Sequence, residues 1–233
     1  MLNQLKKELQ KAGDKKKAEV CARFFKTGKG EYGEGDIFLG VAVPKQRKIA
    51  KKYADLRIGD LRKLLSSKIH NYRSIALFIL ISQYEKADAK GKKKIFDFYL
   101  KNIKNVNNWD LVDCSAPHIT GDYLLNKNRR ILYKLAKSKN LWKRRIAILA
   151  TYRFIKKNQF KDALKISETL LNDEHDLIHK AVGWMLREIG NRDKNIEEKF
   201  LKKYYRKMPR TMLRYAIEKF DEKKRILYLK NKI

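Results

Sequence analysis

Apolar residues recur at a spacing of three and four along almost the whole chain, and no segment alternates as a half-buried strand would. The pattern predicts helices near 2–12, 15–26, 44–55, 58–67, 71–86, 91–103, 109–116, 128–138, 142–157, 160–172, 177–189, 194–206, 209–219 and 221–230. Pro44 and Pro209 stand at first-turn positions, where a missing N–H leaves no bond unmade. Short connections between these helices point to stacked pairs. Several second helices open with a long or cationic residue followed by small and aliphatic ones, giving anchors at Arg73, Trp109, Arg145, Lys180 and Arg214. Successive anchors lie about 34–36 residues apart, the length of one two-helix repeat of an α-solenoid. Ala76, Ala147, Gly183 and Ala216 would let neighbouring second helices approach closely.

Corresponding positions in stacked repeats form a stripe along one face. One turn beyond the anchors lie Leu77, Asp113, Leu149 and Trp184, because i and i+4 share a side of a helix. The register therefore predicts that Trp109, Asp113, Arg145 and Trp184 converge on one strip.

Charge sharpens this picture. The 233 residues carry a formal charge of +31, from 57 Lys and Arg against 26 Asp and Glu, spread from Lys6 to Lys232. A surplus that repels itself so strongly is matched by a polyanionic partner, and nucleic acid leads because phosphate binding releases condensed counterions. With 43% apolar and 11% aromatic residues, the chain can still bury a core. Two cysteines exclude a disulfide scaffold. The longest apolar run, Ile75 to Ile81, is too short to span a bilayer, and the amphipathic amino-terminal stretch has no leader-like apolar block. The expectation is a single-domain (1–233), monomeric, cytoplasmic protein associated with the nucleoid, with no membrane contact.

Three motifs invite chemistry of other kinds. Gly28, Gly30 and Gly33 spell GxGxxG, but no strand precedes them, and Glu31, Glu34 and Asp36 would repel a pyrophosphate. The stretch 28–40 reads instead as a flexible loop able to lie against DNA. His175 and His179 stand four apart but lack a third zinc ligand, so solvated or phosphate-contacting imidazoles are expected and no metal. Cys114 and His118 share a face that Pro117 should interrupt, leaving a small buried thiol.

The segment Val106–Pro117 is different, because two carboxylates, Asp110 and Asp113, sit beside an indole in a cationic chain. Asp113 shares a face with Trp109, while Asp110 points about 100° away from Trp109 and is expected to cap or pair structurally. Core packing is the plainer role for Trp109 and Trp184, and an ion pair with Arg145 the plainer role for Asp113.

Asn108-Trp-Asp-Leu-Val-Asp113 with Pro117, Leu141-Trp-Lys-Arg-Arg-Ile-Ala-Ile-Leu149, His179-Lys-Ala-Val-Gly-Trp-Met-Leu-Arg-Glu188 and the Gly40–Arg47 turn together resemble the AlkD-like DNA alkylation-repair family, over roughly 15–220. The resemblance implies an all-α, right-handed α-solenoid of HEAT-like two-helix repeats whose basic concave face cradles duplex DNA. It implies a glycosylase that excises cationic N3- or N7-alkylated purines without cofactor, metal or base-flipping pocket. Trp109, Asp113, Arg145 and Trp184 match the active-site positions. Phe24, Arg73, Lys180, Arg187, Arg210 and Arg214 would join Arg145 on the DNA. Phe24 stands where the family can carry a tyrosine, so it can stack but has no hydroxyl to donate. Rival readings are a DNA-binding scaffold without excision and an RNA-binding solenoid.

Overall fold

The computed structural model describes residues 1–233. The chain is helical, without strands, and clusters into two compact units, Met1–Ser115 and Ala116–Ile233.

The first unit contains α1 (Leu2–Lys11), α2 (Lys15–Phe24), α3 (Val43–Lys52), α4 (Ile58–Leu65), α5 (His70–Lys86), α6 (Ala89–Lys101), a 3₁₀ turn (Ile103–Asn105) and α7 (Trp109–Ser115). Its centre is α5, buried on nearly every side, against which α3, α4, α6 and α7 pack. A helix apolar all round belongs in a core, yet the first turn of α5 is polar: His70, Asn71, Arg73 and Ser74 are buried there. Those side chains hold the chain between α2 and α3. Asn71 Oδ1 accepts the Leu39 N–H at 2.7 Å, and Ile37 pairs its backbone with Lys68 and His70 at 3.0 and 2.8 Å. Gly40 closes this stretch at φ +71°, and a Cβ there would lie 2.1 Å from the Asp14 carbonyl oxygen. Only glycine fits.

The second unit opens with a π-helical turn (Pro117–Gly121) and α8 (Asp122–Leu124). It continues through α9 (Arg130–Ala136), α10 (Leu141–Ala150), α11 (Tyr152–Ile155), α12 (Lys161–Thr169), α13 (Asp176–Gly190), α14 (Lys194–Tyr204), α15 (Arg210–Ala216), a 3₁₀ turn (Ile217–Lys219) and α16 (Glu222–Leu229). Helices α10, α13 and α15, which carry the anchors Arg145, Lys180 and Arg214, pack one on the next. Gly183 permits the last contact: a Cβ there would meet the Met212 carbonyl oxygen at 2.4 Å and Tyr215 Cβ at 2.5 Å.

Two helix boundaries differ from the periodic reading. Pro117 does not lead into a loop. It opens the π turn at a position needing no N–H. The Gly121 N–H then reaches back to the Ala116 carbonyl at 2.8 Å. The span 142–157 is two helices, because Thr151 turns its hydroxyl onto the Ile148 carbonyl at 2.6 Å and competes with the helical ladder. No helix is long and apolar enough to cross a membrane.

Candidate functional site

In the first unit, α2 ends in a left-handed cap. Lys26 takes φ +55°, and the Thr27 N–H reaches the Ala22 carbonyl at 3.2 Å. This stop leaves two phenylalanines side by side. Phe25 is half-buried and stacks on Phe38 (5.0 Å, 19°) and on Trp109 (5.1 Å, 16°). Phe24 is 62% exposed and meets Trp109 edge-on at 5.7 Å. Trp109 thus sits against aromatic rings in the offset and edge geometries that their quadrupoles favour.

Around the rings lies a chain of charges. The Asp36 carboxylate takes Arg73 Nη2 at 2.6 and 2.7 Å and His70 Nδ1 at 3.1 Å, and His70 Nε2 reaches Asp110 Oδ2 at 2.8 Å. Burial alone would push the His70 pKa down, but its two carboxylate partners outweigh that and raise it. Burial would likewise raise the Asp36 pKa, and His70 and Arg73 together hold it below its ordinary value. Asn108, fully buried, accepts the Trp109 N–H at 2.8 Å on its side-chain oxygen and so fixes the start of α7.

The two carboxylates of α7 are separated as their spacing requires. Asp110 is tied to His70, the structural pairing expected for it, whereas Asp113, one turn beyond Trp109, is half-buried. Burial and the neighbouring Asp110 and Asp113 push the Cys114 thiol pKa upward, so it stays protonated and is no nucleophile.

In the second unit, Arg145 on α10 is 4% exposed and donates from Nη1 to the Leu177 carbonyl in the first turn of α13. Its neighbour Arg144 grips Asp173 at 2.5 and 3.2 Å. Half-buried Trp184 donates Nε1–H to Glu188 at 3.1 Å and lies 6.0 Å from the Tyr152 ring. Lys180 pairs with Asp176 at 2.6 Å, and Arg187 with Glu218. Arg210 is exposed and donates to the Leu229 carbonyl at 2.8 Å, and Arg214 is exposed.

Four expectations need correction. Arg73 is not an open phosphate ligand: it is 3% exposed, bound to Asp36 and to the Ser67 carbonyl. Arg145 is buried as well, and it ties two helices where a contact to DNA phosphate was expected. The 28–40 stretch is anchored at its carboxyl end by Asp36, Ile37 and Leu39, so it is no loose flap. Its glycine N–H groups at 28 and 30 are already taken by Glu31 and Glu34 at 2.8 and 2.9 Å. His175 caps α13 through the Leu177 N–H (3.1 Å) and His179 bonds the Asp173 carbonyl, so both half-buried imidazoles have structural partners and neither is a freely solvated side chain. Sequence reasoning gave no role to His70, Phe25, Phe38 and Tyr152, named Asn108 only as part of a motif, and read Asp36 only as a loop acid. A faint signal existed for one: of the three acids in this stretch, Asp36 alone directly precedes the apolar Ile-Phe-Leu run.

The family model for DNA alkylation repair enzymes matches residues 5–220, and the chain belongs to that family. Among solved structures, it is similar to a predicted DNA alkylation repair enzyme from Enterococcus faecalis, with TM-score 0.70 and 15% identity over 90% of this chain and 97% of that one. It is also similar to AlkD2 from Streptococcus mutans, with TM-score 0.56 and 18% identity over 88% and 99% of the two chains. At those identities the likeness shows the helical fold. No curated protein matches the sequence.

Proposed function

We propose that this protein is a DNA glycosylase that hydrolyses the N-glycosidic bond of positively charged N3- or N7-alkylpurines in duplex DNA. Family membership and the +31 charge support DNA as the partner. The observation that carries the reading is on α7, where Asp113 sits half-buried one turn beyond the ring-stacked Trp109.

Alkylation makes the purine cationic, so the base leaves as a neutral molecule and needs no general acid. The C1′–N bond breaks with its electron pair going to the base, and an oxocarbenium-like sugar remains. Ionised Asp113 stabilises that cation and orients a water, whose oxygen bonds C1′ as its proton passes to the carboxylate or to solvent. The electron-rich face of Trp109 adds cation–π attraction, and exposed Phe24 offers a ring to stack on the duplex. In the second unit, the half-buried indole of Trp184 offers an aromatic face to DNA. Exposed Arg210 and Arg214, with Lys180 and Arg187, form the phosphate contacts, which position the DNA without reading sequence. Arg145 positions the start of α13 and hence Trp184.

The test is single-turnover release of 7-methylguanine from methylated duplex. Asp113→Asn should slow release by about 10²–10³-fold, as deleting one preorganised electrostatic partner does, with duplex affinity nearly unchanged. Release at the wild-type rate refutes the assignment. Tight binding with no release by the wild type identifies a non-catalytic scaffold.

A further inference from the structure

The row of helices α9, α12 and α14 carries a feature that base excision does not use. Between α12 and α14, which both rest on α13, lies an open cavity of about 520 Å³. Its floor is Leu164, Ile196 and Phe200, closed by Tyr133 and Tyr204. Lys161 and Lys165 stand one turn apart along α12, and Lys199 and Lys203 one turn apart along α14, so two pairs of lysines rim the apolar floor.

Glu168 is the one acid in the lining, and it is engaged by Lys165 and by the Tyr204 hydroxyl, both at 2.7 Å. Nearby Asp162 is held by Arg129 and Tyr133 at 2.7 and 2.6 Å. Positive charge at the rim therefore exceeds negative charge. None of the lining residues comes from α10, α13 or α15, the helices that carry Arg145, Trp184 and Arg214.

We propose that this groove docks an acidic peptide segment of a partner protein, with one aromatic or large aliphatic side chain seated in the cavity and flanking carboxylates on Lys161, Lys199 and Lys203. The volume falls within the range of pockets that bury a compact ligand. An aromatic anchor in a pocket with a charged rim is how small interfaces concentrate their affinity. A duplex is the poorer occupant: it presents phosphates to the lysines but has no protruding apolar group, so the floor would stay wet.

The probe is a fluorescein-labelled heptapeptide of aspartate and glutamate around a central phenylalanine, with its serine counterpart as control, followed by anisotropy. A protein of this charge attracts any polyanion, so the difference between the two peptides is the readout. Burying one phenylalanine should tighten binding about tenfold or more. Leu164→Ser with Ile196→Ser should erase that difference. Lys161→Glu with Lys199→Glu, on exposed positions that tolerate exchange, should weaken both peptides while duplex affinity changes little. Equal affinity for the two peptides, or loss of duplex binding in step with peptide binding, would overturn the proposal, the latter by making the groove part of the nucleic-acid surface.

Discussion

Replacing Asp36 by asparagine keeps the shape of the side chain and removes its charge, which isolates what the buried ion pair does. Asp36 and Arg73 have side chains only 5% and 4% exposed, and Arg73 Nη2 contacts both carboxylate oxygens at 2.6 and 2.7 Å. In Asp36→Asn the guanidinium stays buried with no counter-charge, and an amide N–H group can face its donors. Breaking a buried pair by removing one partner costs about 3–5 kcal/mol, against a typical total of about 5–15 kcal/mol for a domain. Urea unfolding followed by circular dichroism should show that loss, with amide exchange rising through residues 68–74. The pH profile gives a second reading. Asp36 has a depressed pKa, so its contribution is present above its unfolded value near 3.8 and fades as pH falls through the folded one. His70 has a raised pKa, so its contribution is complete below 6.5 and fades as pH rises through the folded value. Wild-type stability from this network therefore peaks between about 4 and 6.5. The variant should lose the acid limb, and its alkaline decline, which still begins near 6.5, should be smaller and end at lower pH because His70 keeps only Asp110. A loss below about 1 kcal/mol, the range of an exposed pair, with an unaltered profile, would refute the buried network.

Two further outcomes follow from the second unit. Glu197 is 2% exposed, and burial, reinforced by Glu198, raises its pKa to about 8. The folded state therefore holds a proton that the unfolded chain releases above about 4.5, and stability falls by about 1.4 kcal/mol per pH unit up to about 8. Glu197→Gln should flatten that slope, which unfolding curves at pH 5, 6, 7 and 8 will read; parallel curves for the two proteins would contradict it. Gly183→Ala should destabilise by about 1–3 kcal/mol through overpacking against Met212 and Tyr215, despite alanine's better helix propensity. An unchanged melting temperature would refute the close contact.

The periodic pattern located α5, α13 and the start of α10 well because their apolar spacing is strong, and Asn140 caps α10 at 3.1 Å. Arg73 and Arg145 were read as DNA contacts, and only the fold brings their distant partners within reach, Asp36 at 37 positions before Arg73 and the Leu177 carbonyl at 32 positions beyond Arg145. Phe25 was passed over as the end of a helix, yet a left-handed cap turns it into the surface on which Trp109 stacks.

Helical class, repeat spacing, the cationic surplus and the Trp109–Asp113 pairing at one-turn separation were written in the linear order of residues, since each depends on composition or on neighbours three and four apart. Which charges are sealed, which loop is tethered and which of two nearby carboxylates is diverted to a histidine were decided only by folding. Those outcomes depend on partners distant in the chain, and burial sets the strength of every such encounter.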